Sequence, residues 1–237
     1  MAGHSKWANI KHKKARSDAK KGKVFSRAAK EIINAVKQGG SDPKSNAKLK
    51  LALQRAKDAN VPNENIERNI KKALSTDQAD FTEMTYELYG HGGVGIVVDI
   101  MTDNKNRISS EMKIATNKRG GSIASPGSVQ FNFDRKGVLR FTKEHGIEDE
   151  LFMAATDAGA EDFVTEDEGY VIFTDPQDFM KVKDAVEALG FKCDEAELEM
   201  VPKVTVDCNE EDGKKNLELI EWLEDLDDVD AVYHNMS

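Results

Sequence analysis

Apolar residues from Val24 onward fall at three- and four-residue spacing: Phe25, Ala28, Ala29, Ile32, Ile33 and Val36. That is the period of one helix face. Gln38-Gly39-Gly40 ends this helix, because glycine tolerates the left-handed conformation of a C-cap. Asp42-Pro43 then offers an N-cap and a first-turn proline. The second helix they predict carries Leu49, Leu53 and Ala56, widened by Ala52, and runs to about Ala59. Val61-Pro62-Asn63 breaks it, and Asn63 caps a third helix carrying Ile66, Ile70 and Leu74. Residues 24–76 are thus predicted to form a three-helix domain. Residues 1–23 carry few apolar side chains and no sustained stripe, so they are expected to be an arm that orders only against a partner.

The segment STDQAD (75–80) is short and polar, and reads as a linker. Beyond it the period changes to two. Thr85–Tyr89 and Val94–Met101 are strand-like, joined by Gly90-His91-Gly92-Gly93 as a hairpin turn. A helix is predicted from about Asn106 to Lys118, stopped by Gly120-Gly121, and Ser125-Pro126-Gly127 turns the chain into Ser128–Phe133, where Val129, Phe131 and Phe133 alternate. Strands are predicted at Val138–Phe141, Asp162–Thr165, Tyr170–Thr174 and Lys192–Glu199, with helices at Glu148–Ala158 and Pro176–Leu189. Two successive β-α-β halves of this kind imply a ferredoxin-like sandwich. The tail adds a strand at Val204–Asp207, a helix from Glu210 to Leu226 and a strand at Ala231–His234. The predicted class is α+β: an N-terminal three-helix domain followed by two α/β sandwich domains. The ferredoxin-like one, residues 134–202, is inserted into a middle domain made of 81–133 and 203–237.

Charge changes the picture most. Residues 1–75 hold 19 Lys/Arg against 6 Asp/Glu, a net of +13, whereas residues 76–237 hold 15 against 37, a net of −22. The overall −9 hides a basic module joined to an acidic one. A basic module interleaved with Trp7 and Phe25 is the electrostatic footprint of a phosphate-backbone binder.

The opening MAGHSKWANIKHKK, followed by DAKKGKVFSR, resembles the YebC/PmpR family. Further matching stretches are GGSDP (39–43), TDNKNR (102–107), GSVQFNF (127–133), AGAED (158–162) and DDVDAVYHN (227–235). They follow in order over almost the whole chain. A local departure is His91, where members of the family often carry proline between the glycines. The resemblance implies three domains, a helical one and two α/β ones with one inserted in the other. It implies one of two functions: DNA-binding transcriptional regulation, or ribosome-associated translation support that relieves stalling, notably at proline-rich stretches. A mitochondrial relative is the translational activator of cytochrome oxidase subunit I.

Candidate contacts to nucleic acid are Lys6, Trp7, Lys11, His12, Lys13, Lys14, Arg16, Lys20, Lys21 and Lys23 on the arm, and Arg27 and Lys30 on the first helix. Trp7 can stack on an exposed base, or cover the domain's own core. With about six phosphates met on duplex DNA, log K falls with log salt at a slope of roughly −5. Lysines outnumber arginines 15 to 4 in residues 1–75. Lysine is a point charge, whereas two-pronged reading of guanine favours arginine, so this chemistry points to backbone or shape binding. Lys105 and Arg107 form a second constellation in the first turn of the helix after Thr102-Asp103-Asn104. Cations there oppose the helix dipole, so they either help backbone N–H groups hold a phosphate or bend away to solvent.

Several classes are excluded or disfavoured. No run of apolar residues is long enough to span a membrane, and the basic N-terminus lacks the apolar stretch of a secretory signal. Cys193 and Cys208 form neither a disulfide framework nor a zinc-ligand spacing, which fits a reducing cytoplasm. The chain has no nucleophile elbow, Walker loop or dinucleotide fingerprint, so it is expected to be a non-enzyme without cofactor or metal. The expected partners are DNA or ribosomal RNA, with the ribosome itself among them. An alternative is an acidic protein-interaction module in which the α/β domains bind a basic partner.

Overall fold

The computed structural model describes residues 21–75, 80–143 and 148–237. Three helices come first: α1 (Lys21–Gly39), α2 (Ala47–Asp58) and α3 (Asn63–Ala73). Their apolar stripes close one core around Ile32, Leu49 and Ala56, all fully buried. Three details differ from the sequence reading. Helix α1 already covers Lys21–Val24, so the end of the expected arm is helical. Helix α2 is capped by Asn46 instead of Asp42. The Asn46 amide donates to the Ala35 carbonyl (2.7 Å) and the Gly40 carbonyl (2.8 Å) while its oxygen accepts from Leu49 N. That side chain therefore joins the end of α1 to the start of α2, whereas Asp42-Pro43 forms the turn before it. In the third helix Asn63 is already a helical residue, Pro62 occupies the cap, and Leu74 lies 64% exposed beyond the stripe.

The first sheet has the order β3-β1-β2-β8 and is antiparallel throughout. It is built from β1 (Thr82–Tyr89), β2 (Gly95–Thr102), β3 (Ser122–Ile123) and β8 (Val229–His234). The hairpin between β1 and β2 closes through a short 3-10 turn at His91–Gly93, where Gly92 and Gly93 adopt φ of 66° and 82°. Side chains with Cβ would be strained at both. Two helices, α4 (Lys105–Arg119) and α7 (Glu210–Asp225), cover one face. Between them lie Ile96, Val98, Ile108, Met112, Leu219 and Leu223.

The second sheet, β5-β6-β4-β7, is formed by β4 (Phe133–Thr142), β5 (Ala160–Thr165), β6 (Gly169–Thr174) and β7 (Glu195–Pro202). With α5 (Glu148–Ala158) and α6 (Phe179–Ala188) it follows the β-α-β-β-α-β order of a ferredoxin-like sandwich. Alternation decides the faces. Leu139, Phe141 and Ile172 point at the helices, while Val138, Val171 and Arg140 occupy the other side. Arg140 is buried and held by both carboxylate oxygens of Glu199, at 2.6 and 2.8 Å.

Two predicted strands are not strands. At Val204–Asp207 a single bridge, Val206 to Met236, is formed. Residues 128–132 wind into a 3-10 turn at Gln130–Asn132, and of the predicted stretch only Phe133 is strand, as the first residue of β4. The buried carboxylate of Glu87 collects the N–H groups of Gly127, Val129 and Gln130 at 2.5, 2.6 and 2.7 Å. Gathering three donors from four consecutive residues on one acid curls the chain. Val129 and Phe133 stay buried while Phe131 is turned out, 72% exposed. Val129 and Phe133 join Val97, Ala231 and Tyr233 of the first sheet and Met200 of the second in one core, so the two sheets share buried surface.

Candidate nucleic-acid interface

Of the residues the sequence singles out, Lys6, Trp7, Lys11, His12, Lys13, Lys14, Arg16 and Lys20 lie outside the described residues. Lys21 and Lys23 stand in the first turn of α1. Arg27 follows one turn on and pairs with Glu31 at 3.2 Å, and Arg55 of α2 reaches the same carboxylate oxygen at 3.4 Å. Lys37 meets Asp80 at 2.6 Å.

Lys30 and Arg107, 77 positions apart in sequence, meet on one carboxylate. Asp228 sits in the turn before β8, only 2% exposed. Its Oδ1 accepts from Lys30 Nζ at 2.9 Å. Its Oδ2 accepts from Thr102 Oγ1 at 2.8 Å and from Arg107 Nε and Nη2 at 3.0 and 2.5 Å. Lys30 also donates to the carbonyls of Asp227 and Met101, and Arg107 to Asp103 at 2.7 Å. Burial alone would raise the Asp228 pKa, but the bonds from Lys30, Arg107 and Thr102 hold it below the usual carboxylate range.

The start of α4 is closed in the same way. Asn104 caps it, its side-chain oxygen accepting from Asn106 N and Arg107 N. An anion binding there would compete with Asn104 for these donors and with Asp228 and Asp103 for the guanidinium. Lys105 projects from the same turn, exposed, with no hydrogen bond or ion pair to another described residue. At the other end of α4, Arg119 pairs with Glu218 at 3.1 Å and lies over the Trp222 ring, 5.3 Å from its centroid. Both ends of this helix are thus tied into the fold. The Gly90–Gly93 turn is a structural feature too, since Asn216 holds both backbone groups of His91, at 2.7 and 3.0 Å.

Comparison with known proteins places this arrangement. Residues 5–76 match the family described as TACO1/YebC protein N-terminal domain, and residues 81–236 match that described as TACO1/YebC second and third domain. The chain belongs to the TACO1/YebC family. A probable transcriptional regulatory protein of Protochlamydia amoebophila is 69% identical over 237 residues, covering 100% of this chain and 97% of the relative. A protein of the same description from Chlamydia muridarum is 58% identical over 238 residues, with 100% of each chain covered. The crystal structure of a conserved hypothetical protein from Aquifex aeolicus superposes with a TM-score of 0.88 at 41% identity, covering 98% of this chain and 97% of that one.

Set on the TACO1/YebC domains, the Lys30–Asp228 pair acquires a meaning. Lys30 belongs to the first domain match and Asp228 to the second, so the pair spans the seam between them. Asn34 Nδ2 donating to Glu83 at 2.5 Å spans it as well. Beside these contacts lies a cleft of about 540 Å³, lined by Arg27, Glu31 and Arg55 of the helices, Glu83, Asp99 and Asp230 of the first sheet, and Arg135 of β4. Its charges are perturbed by one another. Burial pushes the Asp230 carboxyl up to about 6 against the pull of Arg27, with Glu31 and Asp99 adding to the rise. Burial alone would lower the Arg27 pKa, but Glu197, Glu31 and Asp230 reverse this and raise it. Asp228 and Asp230 escape the sequence reading because DDVD (227–230) looks like a solvated acidic run. The available signal was its position directly before a strand, in a stretch that resembles the family.

Among the described residues no group of three or more His, Cys, Asp and Glu is placed to hold a metal ion. No described helix is long and apolar enough to cross a membrane.

Proposed function

We propose that this chain is a nucleic-acid-binding regulator of gene expression, a DNA-binding transcriptional regulator of the YebC/PmpR type. The observation that carries the reading is the charge division: +13 over residues 1–75 against −22 over residues 76–237. A module of that sign binds phosphate backbone by releasing counterions, largely without regard to sequence. The descriptions of the relatives as probable transcriptional regulatory proteins agree with it. On this reading the cations of residues 6–23 make the principal contacts, Lys105 adds one from the α/β body, and the acidic domains keep nucleic acid to one side of the molecule. The compartment is the cytoplasm, and no catalytic step is assigned.

A second reading is favoured by the excess of lysine over arginine, 15 to 4 in residues 1–75. Point charges on flexible stems suit a folded RNA backbone better than base reading in a DNA groove. The target is then ribosomal RNA, and the function translation support.

One experiment separates the two. Tagged protein is sedimented from lysate through a sucrose gradient with DNase, RNase and high-salt controls, alongside a variant lacking residues 2–23. Co-migration with ribosomal particles that survives DNase and is lost with the deletion supports the translational reading. Absence from the particles, with salt-sensitive retention of duplex DNA by the purified chain, supports the transcriptional one. Association that is indifferent to the deletion overturns both in favour of a protein partner.

A further inference from the structure

The Asp228 network gathers more positive charge than it needs for a surface pair. One buried carboxylate occupies Lys30, from the helical unit, and Arg107, from the start of α4. The Lys30 side chain is only 13% exposed while so engaged, and that of Arg107 is 43% exposed. The seam this network crosses combines polar contacts, Asn34 to Glu83 and Lys37 to Asp80 among them, with limited apolar packing of Phe81 on the helical core and Leu51 on that of the second sheet, beside a cleft of about 540 Å³. Seams of that kind permit relative motion of the units they join, in contrast to the apolar core shared by the two sheets.

We infer that Asp228 is a positioning residue that holds the helical unit against the α/β body by standing in for a phosphate. When nucleic acid binds, its phosphates take over Lys30 and Arg107 and the unit swings out. This deepens the nucleic-acid reading above and rests on it. The chemistry matches on both sides: a carboxylate with two oxygens receives a lysine ammonium and a guanidinium edge, the same donors that meet a phosphodiester. Lys30 then becomes a binding residue only in the open arrangement, which is why it is covered in the closed one. The acidic body thereby sets a threshold: weak or isolated anions leave the latch shut, and a polyanion that also engages other cations of residues 1–75 opens it.

The test compares Asp228→Asn with Asp227→Asn in the full-length chain. Asp227 is the neighbouring acid, exposed, and its side chain makes no hydrogen bond or ion pair to a described residue, so the two variants change net charge equally. Binding to a random-sequence DNA duplex and to a ribosomal RNA fragment is followed by fluorescence anisotropy from 50 to 200 mM salt. In the complex Lys30 and Arg107 meet phosphate in either variant, so the two salt slopes match, and Asp228→Asn, with no carboxylate to displace, binds several-fold more tightly than Asp227→Asn across that range. Small-angle scattering of Lys30→Met provides the arm that does not depend on the folding of Asp228→Asn. That variant keeps Asp228 satisfied by Arg107 and Thr102, and its radius of gyration is larger than that of the wild type. Equal binding by the two Asn variants, or an unchanged radius for Lys30→Met, overturns the inference. A wild-type chain that binds neither probe refutes the nucleic-acid reading and with it the exchange of Asp228 for phosphate. Scattering alone then decides whether the latch exists.

Discussion

Replacing Glu87 by glutamine tests the physical account of the Gly127–Gln130 turn. The Glu87 carboxylate accepts from Gly127 N through Oε1 and from Val129 N and Gln130 N through Oε2. It is only 4% exposed, so no water stands ready to replace a lost partner. The amide of Glu87→Gln can keep its oxygen on Val129 and Gln130, but it then turns an NH₂ toward the Gly127 N–H, donor against donor. A hydrogen bond to a charged group contributes about 1.5–3 kcal/mol. The remaining two also weaken without the charge, so an overall loss of about 2–3 kcal/mol is expected. At about 2–4 °C per kcal/mol for a chain of this size, the melting temperature falls by roughly 5–10 °C. The pH dependence supplies a second check. Burial alone would raise the Glu87 pKa, but the three N–H donors hold it below its ordinary value. A carboxylate depressed in the folded state contributes stability above its unfolded pKa of about 4.3 and loses it as pH falls through the lower folded value. The gap between wild type and Glu87→Gln is therefore full at pH 7 and shrinks on acidification below pH 4. Urea titrations followed by the fluorescence of Trp222, which packs against the core beneath the first sheet, measure both. A gap under about 0.5 kcal/mol at pH 7, or one that does not close in acid, refutes the reasoning.

Two further outcomes follow from the same kind of argument. Asp230 has its pKa raised to about 6 by burial, so its charged form is disfavoured in the folded state, and stability falls as pH rises from the unfolded value near 3.9 through 6. Asp230→Asn therefore stabilises the chain at pH 7.5, by about 1–2 kcal/mol once solvent access to the cleft is allowed for, and the gain fades toward pH 4. Urea unfolding at the two pH values reads it directly. Asn46→Ala removes the cap of α2 and two bonds to the end of α1, and is expected to cost about 2 kcal/mol. Circular dichroism of the full chain during thermal unfolding detects this as an earlier helical transition, and an unshifted transition rejects it.

Much of this fold is legible in the sequence where local periodicity and burial agree. Helix α5 spans the residues its pattern predicts, Glu148–Ala158, because Leu151, Ala155 and Ala158 share one buried face and three acids crowd its first turn. The alternation of Val138, Leu139, Arg140 and Phe141 assigns the two faces of β4, although Arg140 is stabilised by Glu199, 59 residues on, which no local pattern announces. Illegible features depend on partners distant in sequence. Alternation in Val129, Phe131 and Phe133 implies a strand, but Glu87, about 40 residues earlier, pulls that segment into a turn. Asp42-Pro43 has the better local signature for a helix start, but Asn46 wins because it can also reach the end of α1. Lys30 and Arg107 are visible as cations, and nothing near either one reveals that Asp228 receives both. For the interface itself, a sequence gives the sign of the charge over a region well. It does not give which charges are already neutralised within the fold.

The position of β8 in the chain has a consequence for how this protein is made. In the first sheet Asp99 of β2 lies opposite Ala231 of β8, roughly 130 residues later, while the strands of the second sheet all come from the contiguous stretch 133–202. During synthesis the ferredoxin-like unit can close while the β1–β2 hairpin still waits for its last strand. Until residue 234 emerges, β2 offers an unpaired edge with Ile96, Val97 and Val98 on it, a template for pairing with another chain. Premature termination between residues 203 and 227 therefore leaves a chain with one finished domain and one sticky one. It also lacks Asp228, so Lys30 has no carboxylate to hold the helical unit in place. Such a fragment is expected to aggregate or be degraded, and it is not expected to act as a shortened regulator.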